Sequence, residues 1–277
     1  MTITTQTGLI AGFRPQIPFY KATSTNKAAG TPHAQGLIVG NYPAAFTPGS
    51  PGLSGATVDG TTSTLGGTFP FVNGGGAETV LAKAVFGVGA GAVGIGFFDL
   101  LWYNTGITVT TTTAQTVSSV TLPSRDANGA TSGAGVYAWL YCSVATTNAS
   151  AITNTTISYT NSAGTAGQTG TLNFAGGWPA TATAGTFLPF SLAAGDVGIQ
   201  SIQSITLGTS YVTGTINLML IRDITFLAFF AASSVMTFDW AMTGLPTLYN
   251  GTAMSYFAIP TGTSVGAVSG TITYAQG

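Results

Sequence analysis

The sequence predicts an all-β protein, an antiparallel β-sandwich whose most specific form is a jelly roll. Short runs of aromatic and β-branched residues recur through residues 136–223, and clusters of Gly, Asn, Ser, Ala and Thr separate them. Short strands divided by turn residues are typical of sandwiches and barrels. With 277 residues, of which 45% are apolar, the chain is long enough to bury a large core.

The strands of the central stretch begin with residues 136–144, an uncharged run of aromatic and β-branched side chains. Four further runs have the same character: 155–160, 170–174, 200–207 and 215–221. Within residues 200–207, Ile202 stands three positions before Ile205, so the strict alternation of a strand is interrupted once. We therefore expect a β-bulge there.

Four more strands are predicted before the central stretch. Residues 79–88 and 93–101 are apolar and are separated by a glycine-rich turn, whereas 107–113 and 116–122 alternate β-branched and polar residues as half-buried strands do. A membrane-spanning helix over 84–98 is disfavoured, because its glycines destabilise a helix and a span needs about 20 apolar residues.

Residues 1–75 are predicted to form an extended N-terminal arm rather than a domain. Repeated X-Pro pairs force extended or turn conformations and discourage central strands. The arm nevertheless carries many aromatic residues, so we expect it to lie across a surface, partly on a neighbouring subunit. Packing only against its own body is the alternative.

Residues 224–277 differ in composition from the β-sandwich domain predicted over 76–223. Aromatic and Met residues are frequent in this segment, and both are enriched at protein interfaces. We interpret it as a C-terminal extension that docks on a partner subunit. Completion of its own core is the open alternative.

The candidate subunit interface consists of aromatic residues from the arm and from the C-terminal extension. The predicted interface residues are Phe13, Phe19, Tyr20, Tyr42, Phe46, Phe229, Phe230, Trp240, Tyr249, Tyr256 and Phe257.

Charged residues make up only 5% of the chain, against about 25% in ordinary globular proteins. Six scattered cations provide no basic patch, so we expect neither nucleic-acid binding nor attachment to an anionic membrane. A soluble monomer usually keeps charge on its surface. The composition therefore favours a subunit of a large assembly over an isolated, polar but uncharged β-protein.

The sequence offers little for catalysis. Cys142 is the single cysteine and stands in an apolar strand pattern, which predicts a buried thiol; His33 is the single histidine and lies in the proline-rich arm. Carboxylates are few and stand mostly in turn-like contexts. We predict no catalytic residue, no cofactor and no metal site, and we expect the protein not to be an enzyme.

Four segments carry a resemblance to a known family: residues 101–107, 123–129, 159–166 and 194–202, together with the opening sequence Thr-Gly-Leu-Ile-Ala-Gly at 7–12. They resemble virion structural proteins of tailed bacteriophages. The resemblance extends over most of residues 1–223 and rests on overall composition and these turns. It implies a structural protein of the capsid or its attachments, without any catalytic residue.

These observations together predict a capsid decoration or cement protein that stabilises a phage head. Its expected partners are the major capsid protein and other copies of itself, as a homotrimer or, alternatively, a dimer. Its expected location is the virion, assembled in the host cytoplasm. The alternative is a tail or fibre module that binds host-surface glycan, with Trp102, Trp139 and Trp178 as candidate platforms.

Overall fold

The structure is a computed structural model that describes residues 3–21, 33–34, 56–60, 69, 78–89, 93–117, 121–228, 233–263 and 267–277. The strands of these residues are antiparallel and form packed sheets, so the prediction of an all-β sandwich is confirmed. The jelly-roll connectivity stays a prediction. The described part of 79–223 contains, besides strands and loops, one 3-10 turn at Phe174–Gly176.

The described elements follow one another in this order: α1 Gln6–Ala11, β1 Ile17–Lys21, β2 His33–Ala34, β3 Ala56–Thr57, β4 Thr79–Val88, β5 Val93–Asn104, β6 Gln115–Thr116, β7 Val136–Val144, β8 Thr156–Asn161, β9 Gln168–Thr171, β10 Phe187–Pro189, β11 Ile199–Thr206, β12 Thr215–Ala228, β13 Ser234–Phe238, α2 Trp240–Thr243, β14 Met254–Pro260 and β15 Val268–Gln276.

These strands form three sheets within the described residues. The first sheet has the order β1-β15-β4-β13. The large sheet has the order β10-β7-β12-β5-β14-β2, and β3 also pairs with β5. The third sheet has the order β6-β11-β8-β9. The large sheet contributes to the apolar cores formed with each of the other two sheets.

One strand, β5, takes part in both of these cores. Its Leu101 and Trp102 belong to the core shared with the third sheet, whereas Ile95 and Phe97 belong to the core shared with the first sheet. Asp99 lies between them and is fully buried. An acidic side chain therefore separates two apolar cores along a single strand.

The face of the large sheet that points away from these two cores carries an aromatic cluster. Trp139 and Phe187 stack with ring centroids 4.5 Å apart, and Phe98 and Phe257 join them at centroid distances of 5.5 and 5.1 Å from Phe187 and Trp139, respectively. Each offset aromatic pair of this kind contributes about 0.5–1.5 kcal/mol beyond the free energy of burying its area.

Two of the predicted strands before residue 122 are replaced by loop. Residues 107–113 form no strand, and of 116–122 only Thr116 is in a described strand, with 118–120 outside the described residues. Gln115 gives the physical reason: its side chain accepts a hydrogen bond from the Thr108 N–H at 2.8 Å and donates one to the Thr108 carbonyl at 3.0 Å. A side chain thus takes the place of a neighbouring strand.

Other strand predictions agree with the structure more closely. The two predicted apolar strands correspond to β4 and β5, although these belong to different sheets and do not pair with each other. The predicted irregularity in β11 is present as register shifts against β8 at two places, between Ile199 and Ser201 and between Ile202 and Ser204. Cys142 is buried, as expected.

Strands from all three predicted parts of the chain share sheets. In the first sheet, β1 pairs with β15, and β15 pairs with β4. Phe19 and Phe69, both from the predicted arm, are buried in the core beneath this sheet and contact each other edge to face at 5.3 Å. The division into arm, domain and extension stays a prediction, and its boundary after residue 223 falls inside β12.

We expect Gly133→Ala to destabilise the fold more than Gly164→Ala. Both glycines have similar positive φ, 82° and 83°, so both variants carry the strain of a left-handed alanine. A Cβ at Gly133 would lie 1.9 Å from the Ile199 carbonyl oxygen, whereas a Cβ at Gly164 would meet nothing within 4 Å. Denaturant unfolding should show a difference of about 1–3 kcal/mol between the variants. Equal losses would contradict this close approach.

Candidate functional site

A buried polar cluster surrounds Asp99 and Arg125 in the interior. Arg125 Nε donates to Asp99 Oδ2 at 3.0 Å, and Asp99 Oδ1 accepts from the Ala253 N–H at 2.8 Å. Arg125 Nη2 donates to the carbonyls of Val58 and Leu100, and Nη1 donates to the carbonyl of Gly251. One guanidinium therefore joins the backbone of three separate segments at the middle of the large sheet.

A second arginine, Arg222 of β12, lies beside this cluster. Its Nη2 is 3.8 Å from Asp99 Oδ2 and donates to the Thr247 carbonyl at 3.2 Å. Its guanidinium lies 5.1 Å from the centre of the Tyr249 ring, a cation–π distance. Burial lowers the pKa of Arg222, while the carboxylate of Asp99 acts in the opposite direction.

Asp126, the residue after Arg125, organises its own loop. Its carboxylate accepts hydrogen bonds from Ser132 Oγ at 2.7 Å and from the N–H groups of Asn128, Ala130 and Gly133 at 2.8–3.0 Å. Burial alone would raise the pKa of Asp126, but these hydrogen bonds outweigh it and the net direction is downward. The carboxylate is therefore held ionised as a structural acceptor.

A third polar group ties the end of β8 to the loop that precedes β11. Asp196 accepts from the Tyr159 hydroxyl at 2.5 Å and from Asn161 Nδ2 at 2.6 Å, and the same hydroxyl accepts from the Ala193 N–H at 2.9 Å. Burial and the hydrogen bond to Asp196 raise the pKa of Tyr159 to about 12. These contacts fix the conformation of the loop against β8, since residues more than 30 positions apart are hydrogen-bonded to each other.

No group of three or more His, Cys, Asp or Glu side chains that could hold a metal occurs in the described ranges. The same ranges contain no helix long and apolar enough to span a membrane.

The three tryptophans considered as glycan platforms are all buried. Trp102 and Trp139 lie in the cores of the large sheet. Trp178 stacks on Tyr211 at 5.3 Å and donates from Nε1 to Thr146 Oγ1 at 3.1 Å. Trp178 is completely buried, so it offers no exposed surface on which a sugar could stack.

The predicted interface residues occupy very different environments. Phe19, Tyr256 and Phe257 are buried within this chain, and Tyr249 is half-buried, with its hydroxyl donating to the Ala127 carbonyl at 3.2 Å. For Tyr20 only the backbone is described, paired with β15. Tyr42, Phe46, Phe229 and Phe230 lie outside the described residues.

Phe13 and Trp240 are exposed and lie near two short helices. Phe13 follows α1 and is 39% exposed, and Trp240 opens α2 and is 41% exposed. Ile10 of α1 and Met242 of α2 are more exposed still, at 58% and 56%. We call these four side chains, Ile10, Phe13, Trp240 and Met242, the helical patch.

Both helices pack on one side of the first sheet and enclose a shared cleft. Leu9 of α1 is buried against Val80, Ala82 and Ala275 on that side of the sheet. The cleft has a volume of about 240 Å³. It is lined by Ile3, Thr4, Thr5, Gln6, Leu9, Trp240 and Leu245.

Two charged residues next to the helical patch make hydrogen bonds within the chain. Asp239 caps α2 by accepting from the N–H groups of Ala241 and Met242 at 3.0 and 3.2 Å. Arg14 Nε donates to Gln276 Oε1 at 2.7 Å. The four side chains of the helical patch are apolar, and these two exposed charged side chains flank them.

Sequence reasoning included Phe13 and Trp240 in the interface but left out Ile10 and Met242. The prolines of the arm favoured an extended chain over α1, although Thr5 is a helix-capping residue and its Oγ1 accepts from the Gly8 N–H at 3.0 Å. For α2 the signal was Asp239 as the N-cap and Gly244, with φ of 70°, after the last turn.

Comparison with known proteins gives no family. No family model matches the chain, and no curated protein matches it. A solved structure of the Gx strain of infectious bursal disease virus aligns at 10% identity, over 95% of this chain and 82% of the other, with a TM-score of 0.19. A mutant VP2 protein of that virus, in T=1 particles, aligns at 10% identity over 99% and 80%, with a TM-score of 0.18. At these TM-scores neither likeness carries an argument about this chain.

We expect Arg125→Met to lower the free energy of unfolding by about 3–5 kcal/mol, because Asp99 and three carbonyls would lose a buried charged partner. Arg14→Met is the matched control, since Arg14 is exposed and should change stability by no more than about 0.5 kcal/mol. Denaturant titration of both variants measures the difference. A loss at Arg125 as small as that at Arg14 would contradict the importance of the cluster.

Proposed function

We propose that this protein is a virion structural protein, and most specifically a capsid decoration or cement protein of a tailed bacteriophage. Its role is mechanical: the β-sandwich sits over joints between capsid subunits and holds them together by burying apolar surface. The resemblance of residues 101–107, 123–129, 159–166 and 194–202 to phage virion proteins gives this proposal its specific form.

The observation that carries the proposal is how little charge this chain has available for its surface. Only six cationic and seven acidic residues occur in 277. Among them, Asp99, Arg125, Asp126 and Arg222 are buried in the structural clusters described above. A soluble protein with so few surface charges is poorly protected against association. Association with neighbours in a shell is the use that this composition serves best.

The helical patch supplies apolar surface for such a contact. Side chains of this kind contribute about 25 cal/mol for each Å² that is removed from water. Repetition over a symmetric shell adds many such contacts, so that a modest single interaction gives a large total stability. The partners that we propose are the major capsid protein and further copies of this chain, with the virion as the location.

We expect the purified protein to self-associate, as a homotrimer, with an affinity insensitive to salt. Few charged groups are present to be screened, so raising the ionic strength should change little. The double variant Trp240→Ser/Met242→Ser should weaken self-association at least about tenfold, because a tenfold change corresponds to only 1.4 kcal/mol. Sedimentation at low and high salt measures both effects.

The matched control is Val144→Ser/Val212→Ser, which changes two exposed apolar side chains away from the helical patch. This control should sediment like the unchanged protein. A stable monomer at micromolar concentration, or dissociation by added salt, would contradict the proposed association. Equal effects of the two double variants would contradict the role of the patch.

The decisive experiment for the function is the location of the chain in intact particles. Imaging at residue resolution should show the β-sandwich at symmetry-related positions over joints between major capsid subunits. Peptide mass spectrometry of the same purified particles should show it in correspondingly high copy number. Absence from particles would overturn the proposal, and presence only at the tail would overturn the decoration role.

A further inference from the structure

The strand β13 forms one edge of the first sheet. It pairs with β4 in regular register from Ser234↔Val88 to Phe238↔Ala84, and no described strand pairs with its other side. In an antiparallel strand, alternate residues direct their N–H and C=O groups away from the neighbour. The residues of β13 whose backbone groups face the outer edge are Val235 and Thr237, and these groups have the spacing that another strand requires.

Within the described residues, β13 lacks three of the features that normally prevent pairing with another chain. Edge strands are usually protected by charged side chains, by proline or by a β-bulge. The sequence of β13, Ser-Val-Met-Thr-Phe, contains no charge and no proline, and its pairing with β4 shows no register shift. Val235 is 74% exposed and Thr237 is also exposed, so the face of the strand around the edge is open.

We propose that β13 pairs antiparallel with β13 of a second copy of this chain across a two-fold axis. The pairing joins two first sheets into one continuous sheet of eight described strands, four from each copy. A contact of this type is isologous, because the same strand provides both halves. The proposal rests on the proposed function in one respect: it names a partner and a contact for the self-association inferred there.

The register follows from the two faces of β13. Met236 packs toward the core of the first sheet, whereas Val235 and Thr237 point to the exposed face. Directly opposite residues in a sheet project to the same face, so a register that keeps the cores continuous must pair odd positions with odd and even with even. Pairing centred on Met236 satisfies this condition and uses the whole strand.

The same register places compatible side chains opposite each other. Val235 of one copy faces Thr237 of the other on the exposed face, and β-branched residues form favourable cross-strand pairs. Met236 of each copy meets its counterpart on the core side. With no charge on the strand, self-pairing brings no like charges together, which favours a second copy over a partner selected by electrostatics.

The two-fold contact and the proposed trimer are compatible. The helical patch and β13 share no residue, so the two contacts use different side chains. A three-fold contact combined with a perpendicular two-fold contact gives a closed hexamer of D3 symmetry. If β13 acts alone, the product is a dimer.

The test uses opposite charges at position 235 in the full chain. Val235→Lys and Val235→Glu are each expected to weaken the two-fold association at least about tenfold, because the symmetric contact brings two like charges to diagonal positions about 7–8 Å apart. Mixing the two variants should restore association to within about threefold of the unchanged protein, because each contact then joins Lys to Glu. Sedimentation and native mass spectrometry measure the species formed.

The restoration by mixing distinguishes pairing from damage to the fold, since a misfolded variant would not recover when its counterpart is added. Val212→Lys and Val212→Glu are matched controls on an exposed valine in a loop, and neither should change the association. Unchanged association of the Val235 variants, or the absence of restoration on mixing, would overturn the β13 contact. Neither result would affect the presence of the chain in particles, which tests the proposed function separately.

Discussion

The ion pair between Asp99 and Arg125 is the interaction on which the arrangement of the sheets depends. Asp99 stands on β5 between two apolar cores, and Arg125 reaches it from a loop while binding the carbonyls of Val58, Leu100 and Gly251. β3 and β14 both pair with β5 from the same side, and the guanidinium satisfies carbonyl groups where the two pairings meet. Buried charges are costly to transfer from water. The compensation comes from the number of hydrogen bonds that this one side chain makes.

The polar clusters also explain why so few charges serve so large a protein. Asp126 and Asp196 each fix a loop through several hydrogen bonds, so a single carboxylate replaces many weaker contacts. What is left for the surface is mainly Thr, Ser, Asn and apolar side chains. A protein that buries several of its charged residues is suited to a role in which neighbours cover its surface, as we propose for a capsid component.

The strands could be predicted from the sequence because alternation and turn residues are local signals. β4, β5, β7 and β12 were all marked by apolar or β-branched runs. The partners of Asp99 were not predictable, since Arg125 and Arg222 approach it from distant positions and no spacing in the sequence indicates this. The strand predicted at 107–113 was wrong, because the side chain of Gln115 bonds to the backbone of Thr108 that a neighbouring strand would have used. Burial of Trp178 was equally non-local, as its ring is covered by Tyr211 from another part of the chain.

The pairing of β1 with β15 has a consequence for biosynthesis. Residues 17–21 obtain their strand partner only when residues 268–276 have been made, so about 250 residues must leave the ribosome before this part of the first sheet closes. Pairings with such large sequence separation are slow, because the entropy of loop closure must be overcome before the contact forms. Until then Phe19 has no Val268 or Ile272 to pack against. Exchange of this strand between nascent chains that lie close together on a polysome would compete with closure within each chain.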